Sequence, residues 1–453
     1  MTTRVLIVGA GPAGIRAAQT LCTAGLRPTI VDEGARAGGQ IYRRQPEGFT
    51  RPLEVLYGSE AAKARALHET FDRLVASDEV DYVSRTSVVS LAAGQAQVLQ
   101  DGKIRLVPFD RLVLATGAMD RVAPVAGWQS AGVYTLGAAQ IALKAQGVAL
   151  GAQIVLAGSG PLLTLVAWQL HKAGAKLAAV LDTSSLGTQM RGLPDMMARP
   201  GLVWRGARMR VGLGRLYHAG AQLERIETDA GGPVAFHWRD ARGRAQSTSC
   251  DTVGLGWHLQ AETHLADLAG IPFDYSTQWA QWLPHVDPMG RAGEGQYLAG
   301  DGVRILGADG AEIAGRLAAT ACLQDLNLPT LSPHKDMQAR VRMERFAQGL
   351  SRAFPWPAKL VRATSDDTMI CRCEGITAAD LRVGSALGEN EANRVKSLAR
   401  VGMGRCQGRY CQLIGAELIA AKSGMSVEGA GRLRAQAPAR PVPIGAYQIE
   451  NDP

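Results

Sequence analysis

The stretch Val5–Gln40, VLIVGAGPAGIRAAQTLCTAGLRPTIVDEGARAGGQ, decides the reading of this chain. Val5-Leu6-Ile7-Val8 is an unbroken apolar run, the mark of a parallel strand covered on both faces. Gly9-Ala10-Gly11-Pro12-Ala13-Gly14 follows at once, then a run of helix formers, then Gly25 where a helix end favours a left-handed residue. Thr29-Ile30-Val31 is a second apolar segment and ends in Asp32-Glu33. The pattern predicts strand, glycine turn, helix, strand, acid. In such a unit Gly9 makes the tight turn, Gly11 lets backbone approach a pyrophosphate, and Gly14 lets helix and strand close together. The helix N-terminus offers free N–H groups to phosphates, and an acid at the strand end accepts from a ribose hydroxyl. An adenine dinucleotide is therefore expected here.

Composition sets the frame around that unit. A chain of 453 residues, 46% hydrophobic and 20% charged, should form about three globular domains with ample core. The net charge of +8 is not concentrated in a long Lys/Arg block. The densest basic stretch, Arg191–Arg215, holds Arg191, Arg199, Arg205, Arg208, Arg210 and Arg215 against Asp195 alone, and reads as a solvated or partner-facing surface rather than a nucleic-acid site. No signal peptide is expected, because a strand begins within a few residues of Met1. Residues 145–171 lack Asp, Glu, Lys and Arg, but their glycines, Pro161 and glutamines fit a strand–turn–helix and not a transmembrane segment. A cytoplasmic location is expected, with membrane association only through a larger complex.

Further along, residues 59–76 read as a helix, with Ala64, Leu67, Phe71 and Leu74 as its core stripe. Residues 80–115 alternate as a β-meander that ends in the apolar strand Arg111–Leu114 and the small-residue turn Ala115-Thr116-Gly117. Residues 151–182 repeat the opening unit, with Gly158-Ser159-Gly160-Pro161-Leu162-Leu163 as the turn. Two departures mark this second copy. Leu163 replaces the third glycine, and Leu181 stands where Asp32 stands in the first, with Asp182 one later. Leu163 should crowd helix against strand, so a Rossmann-like domain is expected there without a working NAD(P) site. Cys250 reads as a buried small hydrophobe. His258, Glu262 and His264 lack a firm metal-ligand spacing and read as surface polar residues. Tyr297–Asp301 reads as a strand ending in Gly300-Asp301, whose carboxylate can bond a polyol hydroxyl beside a following helix. Residues from Glu428 on, rich in Pro, Ala and Gly, read as an extended tail over the surface.

Four of the seven cysteines cluster late, as Cys371-Arg-Cys373 and Cys406-Gln-Gly-Arg-Tyr-Cys411. Four thiolates in two close pairs can hold zinc or a [2Fe–2S] cluster. Zinc usually takes pairs spaced two to four apart, so C-x-C with C-x₄-C fits it less well. Arg372, Arg400, Arg405 and Arg409 bring positive charge to an anionic cluster, and Gly402 and Gly404 free backbone N–H groups for sulfur. Iron–sulfur is favoured. Thr377-x-x-Asp380 is a capping box that should open a helix between the pairs.

The motifs VDE…GGQIYR, ATGAMDR, the AGD turn and CRCEGIT…VGMGRCQGRYC together resemble the A-type subunits of bacterial opine oxidases. The B subunit of hydrogen cyanide synthase and the α subunits of proline and hydroxyproline dehydrogenases share this set. The resemblance spans nearly the whole chain. Its C-terminal module is similar to bacterioferritin-associated-ferredoxin-like [2Fe–2S] domains. It implies an α/β flavoprotein of the disulfide-reductase-like type, with two dinucleotide-binding domains and a small helical cluster domain.

The implied boundaries are residues 1–120 with 290–335 for a discontinuous FAD domain and 121–289 for the second Rossmann-like domain. A connector (336–365), the cluster domain (366–427) and the tail (428–453) follow. The resemblance places Gly9, Gly11, Pro12, Ala13, Gly14, Asp32 and Glu33 along the first dinucleotide site. Gly38, Gly39, Gln40, Val88, Thr116, Gly117, Gly300 and Asp301 complete it. Cys371, Cys373, Cys406 and Cys411 become the cluster ligands. FAD is the implied occupant, with ATP or NAD in the same site in some relatives and FMN at the subunit interface in several.

The resemblance also implies a partner. A glycine-oxidase-like FAD subunit oxidises an amine or imino acid, and some members carry a small ferredoxin-like protein besides. Electrons would then leave through this chain toward an acceptor, in some settings a respiratory-chain one. No His, Asp or Tyr set stands out as a substrate base, so no catalytic residue is assigned. The alternative is a self-sufficient NAD(P)H-dependent FAD/[2Fe–2S] reductase, which would need the second site that Leu163 obstructs. A non-enzymatic assembly role is the third reading. Thiol–disulfide chemistry is excluded: residues 34–57 hold no cysteine and 151–260 hold only Cys250.

Overall fold

Ile7 lies mid-sheet, opposite Ile30 on one side and Val113 on the other. The computed structural model describes residues 3–49, 51–387 and 390–447. Its first sheet runs Arg291–Gly293, Gln296–Leu298, Arg111–Leu114, Val5–Val8, Thr29–Val31, Asp81–Val83 in space. All pairings are parallel except the edge hairpin formed by the first two strands of that order. The fully buried run Val5–Val8 follows from its central place. Helix Pro12–Cys22 makes the crossover to Thr29–Val31, and helix Gly307–Asp325 packs along it. That approach is close: a Cβ on Gly315 would lie 2.1 Å from the Ala13 carbonyl oxygen. Strand Gln296–Leu298 pairs with Arg111–Leu114, so the chain returns to the sheet it left. Thr86–Ala92, Gln95–Gln100 and Lys103–Pro108 form the antiparallel meander that their alternation predicts.

The second sheet is all parallel, in the order Tyr217–Ala219, Leu177–Asp182, Ile154–Ser159, Thr252–Trp257, Val133–Thr135. Helix Pro161–Lys172 is its crossover, with Leu163, Val166 and Leu170 buried toward the sheet. Cys250 is buried in the apolar core of this half. Most of the 20-residue helix His334–Ala353 lies in the segment read as a connector. It crosses helix Leu186–Met196 at facing glycines: a Cβ on Gly192 would lie 2.1 Å from the Gly349 carbonyl oxygen.

The C-terminal part pairs Met369–Cys371 with Ile376–Thr377 and adds helices Ala378–Leu387, Ala392–Ala399, Cys411–Ser423 and Val427–Ala430. The capping box forms: Thr377 Oγ1 accepts from Asp380 N at 3.2 Å, and Asp380 Oδ2 accepts from Thr377 N at 2.9 Å. Ile370, Leu381, Val395, Ile414 and Leu418 belong to one continuous core with Val122, Trp128 and Trp257 of the second-sheet half. Trp128 Nε1 donates to the Met369 carbonyl at 2.7 Å across that junction.

The tail corrects the surface expectation in part. It has no regular structure over 431–443, yet Ala439 is buried against the meander and its N–H donates to Val89 O at 2.7 Å. The end of the expected tail, 448–453, lies outside the described residues. Among the described residues no helix is long and apolar enough to cross a membrane.

Candidate cofactor sites

The first site is the end of strand Val5–Val8. Gly9 has φ +108°, and a Cβ there would meet Ala115 O at 2.4 Å; a Cβ on Gly14 would lie 1.8 Å from Gly9 O. Those two glycines are fixed by sterics. Gly11 is different: its Cβ would meet nothing nearer than Gly39 Cα at 3.7 Å, which leaves open space above the turn. Gly11 caps helix Pro12–Cys22 without any side-chain bond to the first-turn N–H groups. An uncapped helix start beside an open glycine backbone is what a pyrophosphate needs.

Gly38 and Gly39 close one wall, with Gly38 N donating to Ala10 O at 2.8 Å. Gln40 lies beside them, its Oε1 accepting from Arg43 Nη2 at 2.6 Å. Gly300 abuts Ala13, and Val88 is buried below the strand ends. Asp32 accepts from Ala10 N and Gly34 N, each at 2.5 Å, one bond per carboxylate oxygen. Burial pushes its carboxyl up, against those two bonds. Asp301 accepts from Leu306 N at 2.9 Å and Gly307 N at 3.2 Å, and desolvation raises it to about 6. Both carboxylates keep free lone pairs for hydroxyl donors. These residues fit the ribose–pyrophosphate–polyol backbone of FAD.

Glu33 has another partner. Its carboxylate is gripped by the tail residue Arg440, at 2.5 Å and 3.1 Å. Thr116 and Gly117 sit against Gly302, the neighbour of Asp301: a Cβ on Gly302 would meet Thr116 Oγ1 at 2.8 Å.

The second cradle is filled by protein. A Cβ on Gly160 would lie 3.1 Å from the His258 ring, which rests against Phe354 at 5.8 Å between centroids. Arg121, buried beneath, lies over the Trp356 ring at 3.8 Å and donates to Trp279 O at 2.8 Å. Burial brings its guanidinium down to about 9. His258 is thus not a surface residue. Asp182 is fully buried and accepts from Ser184 N at 2.8 Å and from Tyr217 Oη. Desolvation raises it to about 6.

The four late cysteines come together as two pairs, Cys371 with Cys411 and Cys373 with Cys406, each within thiol hydrogen-bond reach. Among the described residues no group of three or more His, Cys, Asp or Glu is already set at metal-ligand geometry. The thiol of Cys411 and the N–H groups of Gly402, Glu374 and Cys373 all bond the Cys371 sulfur and lower it to about 6. Gly408 and Tyr410 supply N–H groups to Cys406. Convergent thiols within backbone N–H groups suit an anionic iron–sulfur cluster. Gly402 plays the part its sequence suggested. Gly404 instead makes room, since a Cβ there would lie 2.4 Å from Cys373 Cβ.

Three of the four nearby arginines are engaged elsewhere. Arg372 lies over Trp128 at 5.2 Å, Arg400 pairs with Glu374 at 2.9 Å, and Arg409 pairs with Glu262 at 2.7 Å. Glu262 and His264, read as surface residues, are buried where the cysteine loop meets the first cradle. Gln260, which nothing in the sequence marked, donates to Arg409 O there.

Two family models match: "Pyridine nucleotide-disulphide oxidoreductase" over residues 3–199 and "Sarcosine oxidase A3 domain" over 366–449. The A subunit of opine oxidase from Agrobacterium tumefaciens is 36% identical over 97% of this chain and 90% of its own length. The chain belongs to the opine oxidase A-subunit family. This family member is also 30% identical to the hydrogen cyanide synthase subunit HcnB of Pseudomonas protegens, over 99% of this chain and 98% of that one. Its fold is that of the L-proline dehydrogenase from P. horikoshii, with TM-score 0.73, 19% identity, and coverage of 99% of this chain and 80% of that chain. Thioredoxin reductase of T. acidophilum matches over 71% of this chain and 98% of that one, with TM-score 0.51 and 17% identity. The chain is an FAD-dependent oxidoreductase.

Proposed function

We propose that this chain is the electron-transfer subunit of a heteromeric amine or amino-acid dehydrogenase of the opine, proline/hydroxyproline or glycine type. FAD occupies the first cradle, and Cys371, Cys373, Cys406 and Cys411 hold a [2Fe–2S] cluster. When bound, the flavin supplies two-electron chemistry and the cluster one-electron chemistry. The chain's own residues do the rest. Gly11 and the start of helix Pro12–Cys22 take the pyrophosphate, and Asp32 and Asp301 orient the ribose and the polyol chain. Cys373 is exposed, so one edge of the thiol site faces the surface where an acceptor can approach. Substrate oxidation falls to a glycine-oxidase-like flavoprotein partner, with FMN at the interface and a small ferredoxin-like third component, as the sequence resemblance implies.

One observation carries this reading: hydrogen bonds run from the Cys406–Cys411 loop into the Thr116–Gly117 turn of the first cradle. The NAD(P)H-reductase alternative is opposed by the His258 ring on Gly160 and by the buried Leu163. The test is cofactor extraction with mass spectrometry and metal analysis, followed by anaerobic mixing with NADH and NADPH. FAD, iron and sulfide with no reduction by either nicotinamide is the expected result. Zinc, or rapid bleaching of the flavin by NADH, would overturn it.

A further inference from the structure

Arg409 stands inside the cysteine loop and touches three parts of the molecule. Its Nε donates to Glu262 Oε2 at 2.7 Å, and its Nη1 donates to Cys406 O and Ala439 O, each at 3.0 Å. Glu262 in turn clasps the first cradle: its N–H donates to Gly117 O at 3.0 Å, and its carbonyl accepts from Thr116 Oγ1 at 2.7 Å. The other carboxylate oxygen of Glu262 takes His264 Nδ1 at 2.7 Å, and His264 Nε2 reaches Gln407 O at 2.7 Å. The acid is thus shared between the turn beside Asp301 and the loop that carries Cys406 and Cys411.

The side chains of Arg409 and Glu262 are only 12% and 11% exposed. A buried ion pair contributes little net stability but strongly penalises loss of one partner, and its best-attested use is to fix one arrangement. Such a pair serves register better than it serves binding energy. The position of Arg409 in the sequence suggested a different task, neutralising the cluster, but Glu262 takes up its charge.

We propose that Arg409 and Glu262 are positioning residues that lock the Cys406–Cys411 loop to the Thr116–Gly117 turn, and so fix the flavin site and the cysteine site relative to each other for electron transfer. This rests on the relay reading above. The clasp itself is a property of the protein and can be read without either cofactor.

The experiment compares the full chain with Arg409→Ala, Arg409→Lys, Glu262→Gln and the Arg409→Ala/Glu262→Gln double variant. Amide exchange at 402–411 and 116–118 reads the clasp. Photoreduction of the flavin, followed at cluster wavelengths, reads internal transfer, and the cluster's EPR line shape reads its surroundings. Each disruptive variant should speed exchange at both segments together. The double variant should lose no more than the worse single one. Arg409→Lys should restore part of the protection. Internal transfer should fall about tenfold or more, as positional loss does elsewhere. Unchanged exchange at 116–118 in Arg409→Ala, or additive losses in the double variant, would overturn the proposal. If Arg409→Ala does not fold, Arg409→Lys and Glu262→Gln decide by the same readouts. A wild-type chain lacking iron would sink the relay reading and leave the exchange data to judge the clasp.

Discussion

Arg440 grips Glu33 through Nε and Nη2, tying the C-terminal tail to the acid just past the second strand. Adjacent acids in the sequence thereby receive separate work. Asp32 turns inward to the glycine turn, and Glu33 turns outward to the tail. The pair is 27% and 49% exposed, so it is worth about 1 kcal/mol at most. Asp267 is the stronger tail anchor: it takes Arg432 at 2.6 Å and 2.7 Å and Ala435 N at 2.6 Å. Arg440→Ala should leave the thermal midpoint nearly unchanged. Asp267→Ala should speed proteolytic cutting within 431–442 well beyond Arg440→Ala. The reverse ranking would make Glu33 the main anchor.

Gly11 and Gly14 should fail differently. A Cβ at 14 collides with Gly9 O at 1.8 Å, and Gly14→Ala should cost about 1–3 kcal/mol as well as FAD. At Gly11 φ is −83° and the nearest atom is 3.7 Å away. Gly11→Ala should keep the stability of the cofactor-free chain and lose only the nucleotide. Urea unfolding of stripped protein and flavin content after reconstitution separate the two.

The Asp301 carboxyl sits at about 6 in the fold against an ordinary 3.8. The folded state therefore holds that proton more tightly than the unfolded chain does. Its contribution to stability is most favourable below pH 4 and declines as pH rises to and past 6. Asp301→Asn removes the decline. In cofactor-free protein the variant should gain on wild type across that window, reaching up to about 3 kcal/mol at pH 8, while losing FAD affinity. Urea midpoints at pH 4 and pH 8 measure it; a gap independent of pH would refute the desolvated carboxyl.

Cys371→Ser should lose its iron while keeping flavin. It should also lower the thermal midpoint, because Cys371 lies in the core shared with Trp128 and Trp257. Cys250→Ser, also in that core, is the control and should keep iron. Iron retained by Cys371→Ser at the wild-type level would remove that residue from the ligand set.

The second cradle should ignore nicotinamide nucleotides. With His258 seated on Gly160 and backed by Phe354, NADH and NADPH should leave both the thermal midpoint and the flavin spectrum unchanged. A midpoint shift of several degrees at millimolar NADH would show that the ring yields.

What the sequence determined by itself is local. Strand, glycine turn and helix at Val5–Cys22, the degraded repeat at Gly158–Leu163, the meander and the capping box at Thr377 each follow from neighbours a few residues apart. Their signals are steric and periodic, so they are legible without the rest of the chain. The grouping of the four cysteines was legible too, because close pairs of one residue type are rare in a reduced chain.

Only the tertiary structure decided which side chains meet. Glu262 and His264 looked like solvated polar residues because carboxylates and imidazoles are mostly exposed unless paired, and the groups that pair with them lie far along the chain. They are buried by a loop that starts some 140 residues later in the chain, at Cys406 and Arg409. Arg440 on Glu33 and Phe354 beside His258 are likewise partners from remote parts of the sequence. Composition and periodicity report which faces are apolar. They carry no information on which charged group lies opposite another once the chain has closed.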